Sequence, residues 1–110
     1  MDETTATPLS RITWRTQAVL LVLLEDRSRE VWPYLLDRHP LTRGADNYQI
    51  LKRLAEAGWL STRRETGPNG RVLYRLTAAG ETMAREAAQR PVKWPDHARR
   101  RGGPAGATGA

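Results

Sequence analysis

Asp46, Gln49 and Arg53 stand three and four residues apart in the stretch Tyr48–Gly80 and just before it. Wound as a helix at about 100° per residue, they fall on one side, flanked by Lys52 and Glu56. An arginine can bond a guanine edge with two N–H groups, a glutamine can pair with adenine, and an aspartate can accept from a cytosine amino group. Downstream, Arg63, Arg64, Arg71 and Arg75 face a single Glu65 around the turn "TGPNG". Such cations suit phosphate contacts, which orient a protein on a duplex without reading it. The types and spacing therefore assign Asp46, Gln49 and Arg53 to base edges. They assign Thr42, Arg43, Lys52, Arg64 and Arg71 to the backbone, with Arg71 at the turn and able to reach a minor groove. Strand alternation sends Arg63 and Arg64 to opposite faces, so one duplex cannot take every arginine. "GPNG" is a turn and not a phosphate cradle, because neither a lysine nor a helix start follows it.

Overall charge agrees. The chain of 110 residues carries 18 Lys and Arg against 12 Asp and Glu, a formal net charge of +6. Acids and bases balance up to Leu60, so the excess sits in the hairpin and the tail, where a polyanion is the natural partner. The absence of cysteine excludes a disulfide scaffold and a thiolate zinc site and suits a reducing cytoplasm. "AVLLVLL" is too short to span a bilayer and lacks the position and basic flank of a signal peptide.

The elements that must hold these residues follow from periodicity and punctuation. Residues 1–10 are polar and read as a disordered N-terminus. A first helix is predicted over residues 11–25, its second half apolar nearly all round. After the turn and extended residues of "DRSREVW", with a short extra strand possible before the next helix, Pro33 opens a second helix, stopped at His39–Pro40. Thr42 caps a third helix over residues 45–57, closed by Gly58. Tyr48, Leu51, Leu54 and Ala55 form its core stripe; Asn47 bonds locally, and Ile50 lies at the border with no side assigned. Trp59–Glu65 and Arg71–Leu76 alternate as two strands, and Thr77 caps a fourth helix to about Arg90, ended by Pro91. Residues 91–110 read as a disordered basic tail. The expected fold is mainly α with a small β-hairpin: one winged helix-turn-helix domain, residues 11–90, in the order α-α-α-β-β-α.

"LTRGADNYQILKRLAEAGWLSTRRE" followed by "GRVLYRLTAAGE" resembles the PadR-like winged-helix transcriptional regulators. The pattern is carried by Leu41, Thr42, Gly44, Tyr48, Leu51, Arg53, Leu54, Gly58, Tyr74, Leu76, Thr77 and Gly80. It covers the middle third of the chain, and MarR-like regulators share part of it. Pro33-Tyr34 stands where the family has Gly-Tyr, and the fourth helix is shorter than the family's long dimerisation helix. The resemblance implies a dimeric repressor that binds double-stranded DNA and often senses a small hydrophobic compound.

Val19–Leu24 point around the full circle of the first helix, and one small domain covers only one side of it. A homodimer interface is therefore expected from Leu20, Leu21 and Leu24 with Met83 and Ala87 of the fourth helix. The alternative is that Pro8, Leu9, Trp32, Val92 and Trp94 fold over that surface and leave a monomer. An enzyme is not expected: His39 and His97 have no partners in a catalytic frame, and neither a metal nor a cofactor is implied. The remaining rival is a winged helix that binds protein, for which an apolar or acidic third-helix face would speak.

Overall fold

In the computed structural model, residues 12–99 are described. They form five helices and one two-stranded antiparallel hairpin in the order α1 (Trp14–Glu25), α2 (Pro33–Asp37), α3 (Asn47–Glu56), β1 (Leu60–Arg64), β2 (Val72–Leu76), α4 (Ala78–Ala88) and α5 (Asp96–Arg99). The expected helix and strand order holds, with one short helix added. The segments 1–10 and 100–110, expected to be disordered, lie outside the described residues. No described helix is long and apolar enough to cross a membrane.

Local chemistry sets the boundaries. The Thr13 hydroxyl accepts from the Thr16 N–H at 3.3 Å, so α1 begins at Trp14 and not at Arg11. Beyond Glu25 the Asp26 carboxylate accepts from both the amide and the hydroxyl of Ser28, at 3.1 and 2.7 Å, and holds the turn. Val31 and Tyr74 exchange both backbone hydrogen bonds at 2.8 Å. The expected extra strand is therefore a single bridge laid against β2. Pro33 opens α2 as expected.

The cap of α3 differs from expectation. Asp46, not Thr42, accepts from the Gln49 N–H, at 3.3 Å. Thr42 is buried and donates its hydroxyl to the Leu36 carbonyl. With the helix starting at Asn47, its buried stripe is Asn47, Ile50, Leu51 and Leu54. Tyr48, expected in the core, is 54% exposed. Asn47 does bond locally, donating to Asp37 at 2.7 Å and to the Thr42 carbonyl at 3.1 Å. At the other end Gly58 takes φ +88°, and the amides of Gly58 and Trp59 bond back to Ala55 and Leu54 at 3.0 Å each. These two bonds satisfy carbonyls that a helix end leaves open.

β1 and β2 pair in the register Leu60↔Leu76, Thr62↔Tyr74 and Arg64↔Val72. Thr77 then joins the hairpin to α4. Its hydroxyl oxygen accepts from the Gly80 N–H at 2.8 Å and lies 2.9 and 3.1 Å from the Gly58 and Trp59 carbonyls. Leu20, Val22, Leu23, Leu36, Leu51, Leu54, Trp59 and Leu60 make the main core between α1, α3 and the hairpin.

The chain after α4 departs most from expectation. Residues 91–99 are not a free tail. Trp94 is 1% exposed and packs with Ala18 and Ala98, against Trp14, Leu21 and Val92. Gln17, wholly buried, explains how: its carboxamide donates to the Ala87 and Arg90 carbonyls at 2.7 and 3.0 Å and accepts from the Trp94 indole at 2.7 Å. One side chain thus ties the end of α4 to the strap that follows it, with its own buried amide fully bonded. Of the residues assigned to a dimer interface, Leu20 and Ala87 are completely buried in this chain's own core and cannot face a partner. Leu21, Leu24 and Met83 keep partial exposure. α4 and the strap cover much of the apolar circle of α1, with Val92 and Trp94 among the covering residues, while Leu21 and Leu24 stay partly exposed.

Candidate nucleic-acid interface

The buried stripe of Ile50, Leu51 and Leu54 turns the other side of α3 outward, so that Gln49, Lys52, Arg53 and Glu56 are all exposed. Arg43 is exposed in the connection that leads to the helix. Asp46 is exposed too, but its carboxylate is engaged as the α3 cap, which removes it from the base-edge set except through its outer oxygen. Thr42 leaves the backbone set altogether, since a hydroxyl bonded inside the core reaches no phosphate.

The hairpin arginines divide in two. Arg63 forms a two-point pair with Glu30, at 2.6 and 2.8 Å, and Arg71 forms one with Glu65, at 2.7 and 2.9 Å. Their charge-assisted bonds hold both carboxyls below the usual glutamate range and both guanidiniums above theirs. A carboxylate with a lowered pKa stays charged as pH falls, so both pairs persist at neutral pH and are lost only well into acid. Arg71 also lies over the Trp32 ring, 3.9 Å from its centre. Its place at the turn is as expected, but its guanidinium is stacked and paired and not free. Arg64 donates to the Gly70 carbonyl at 3.2 Å and is exposed, and Arg75 is exposed on β2; neither has an ion pair among the described residues.

Between the start of α3 and the hairpin lies a cleft of about 290 Å³ lined by Trp32, Pro33, Tyr48, Arg71, Val72 and Tyr74. Burial raises the Tyr74 phenol above its ordinary range, and the neighbouring Tyr48 adds to the effect. Sequence reasoning assigned none of these aromatics to the site. A signal for the Asp46 cap existed: "DNYQ" has the spacing of a capping box, an acceptor at the cap and Gln three residues on. It marks the helix start at Asn47, while the side that Tyr48 faces is set by how α3 packs. For Trp32 and Tyr74 there was no such signal, because their meeting depends on the Val31–Tyr74 bridge between distant segments.

The chain matches no family model, no curated protein and no solved structure.

Proposed function

We propose that the chain is a sequence-specific regulator of transcription, a PadR-like winged helix-turn-helix that lays α3 in the major groove of double-stranded DNA. The observation that carries this reading is the exposed Gln49, Lys52 and Arg53 on one capped helix, set beside a hairpin with exposed Arg64 and Arg75. Gln49 and Arg53 are the base-reading residues, while Lys52, Arg43 and Arg64 bind phosphates. Replacing Arg53 with Ala is expected to weaken binding to a duplex selected from a random pool by about 1–3 kcal/mol and to relax its sequence preference. Equal loss on every duplex makes Arg53 a phosphate contact, and no loss removes it from the interface.

The functional unit in this proposal is a homodimer, now resting on Leu21, Leu24 and Met83 alone, which flank the packed α1–α4 pair. Two copies on a two-fold axis would read half-sites about one helical turn apart. Sedimentation equilibrium at micromolar concentration is expected to return twice the chain mass; a monomer mass ends the dimer proposal and leaves a single half-site as the target.

One observation favours a second reading. Tyr34 and Tyr48 are the large apolar residues left exposed, at 58% and 54%, and aromatic surface is typical of protein interfaces. A protein-binding winged helix without sequence-specific DNA binding therefore remains the alternative, and the duplex selection separates the two.

A further inference from the structure

The cleft beside α3 has an unusual set of groups. Its floor is aromatic and aliphatic, from Trp32, Pro33, Val72 and Tyr74, and Tyr48 and Arg71 also line it. The Trp32 indole N–H and the hydroxyls of Tyr48 and Tyr74 have no hydrogen-bond partner among the described residues. None is sealed off, since the one unpartnered buried side-chain atom among those residues is Asn47 Oδ1. Arg71 spends Nε and Nη2 on Glu65 and keeps Nη1 for another acceptor. Donors without acceptors, a fixed cation and an apolar floor together fit an amphipathic anion.

Position narrows the choice. The cleft lies between the two elements assigned to DNA, the start of α3 and the hairpin. We propose that the cleft seats one sugar–phosphate unit of the duplex: the deoxyribose against the aromatic floor, and the phosphate at the mouth, accepting from Tyr48 and from Arg71 Nη1. This deepens the DNA-binding reading and rests on it. It adds Tyr48, Trp32 and Tyr74 to the interface and gives the Arg71–Trp32 stack a task, which is to hold a guanidinium at a fixed point of the backbone. Glu65 does not oppose this, because Arg keeps its planar fork and presents different N–H groups to two acceptors at once.

The test pairs Tyr48→Phe, which removes one oxygen from a side chain already 54% exposed, with duplexes carrying a single neutral methylphosphonate moved along the backbone. The duplex is the one selected from a random pool by the unaltered protein. Tyr48→Phe is expected to weaken binding about 2–10-fold on preferred and scrambled duplexes alike, with the salt dependence unchanged because no charge is lost. At one backbone position per subunit, the methylphosphonate should weaken the unaltered protein more than the variant, the signature of a shared contact. Equal affinity of the variant and the unaltered protein, or losses that simply add at every position, overturns the proposal while leaving DNA binding intact. Failure of the unaltered protein to select any duplex overturns the DNA reading itself, and this proposal with it.

Discussion

Replacing Trp94 with Ala is expected to cost about 3–5 kcal/mol of folding stability, the range for emptying a buried aromatic site. The indole is 1% exposed, packs tilted against Trp14 with ring centres 5.5 Å apart, and lies with Ala18 and Ala98 in one buried cluster. Its N–H is also the donor for Gln17 Oε1, and a buried acceptor left without one costs a further fraction of about 1–3 kcal/mol. Domains of this size are stable by about 5–15 kcal/mol, so the variant stands near the edge of folding. Trp94→Phe separates the terms: it keeps most of the volume, loses the donor, and should fall between the unaltered protein and the Ala variant. Urea denaturation reads all three. A loss below about 1 kcal/mol for Trp94→Ala means that the strap is not part of the folded unit. The same change uncovers the Ala18 and Leu21 side of α1, so the folded fraction should also self-associate in sedimentation. That outcome ties the strap to the surface that the apolar circle of α1 would otherwise present.

Replacing Gly80 with Ala is expected to destabilise the domain by about 1–3 kcal/mol, the range for forced overpacking. On helix propensity alone the sign would be opposite, because Ala is favoured over Gly by about 1 kcal/mol inside a helix. Here a Cβ would land on the Trp59 carbonyl oxygen, a backbone atom that cannot swing away. That carbonyl is held by the Thr77 amide at 2.9 Å, with the Thr77 hydroxyl 3.1 Å away and shared with the Gly58 carbonyl. Gly80 therefore lets α4 lie directly on the entry to β1. Ala79→Gly, one residue earlier and exposed, is the control: it should cost no more than about 1 kcal/mol, by propensity alone. A Gly80→Ala protein more stable than the original in urea would show that α4 stands away from Trp59. Because Trp59 also closes α3, the Gly80 variant is expected to lose duplex affinity along with stability.

Local chemistry made a large part of this molecule readable from its sequence. Pro33, Gly58 and Thr77 end or begin helices through their own backbone geometry and side-chain bonds, and the alternation on either side of "TGPNG" marks the hairpin. The outward Gln49, Lys52 and Arg53 were also legible, since residues so far from an apolar stripe stay exposed even when the stripe is drawn slightly wrong. Border positions were not. Tyr48 and Ile50 sit at the two edges of the stripe, and which edge is covered depends on how α3 packs on its neighbours, which here buries Ile50 and leaves Tyr48 exposed. Whether an arginine is free or paired was equally closed to the sequence, because Arg63 meets Glu30 across 33 residues of chain. The fate of α1 was the largest decision left to tertiary structure. An all-apolar helix states only that every side must be covered, and a second copy or a strap satisfies that demand equally. The strap's share of that cover is fixed by Gln17, whose buried carboxamide bonds the Ala87 and Arg90 carbonyls and the indole of Trp94, 77 residues away.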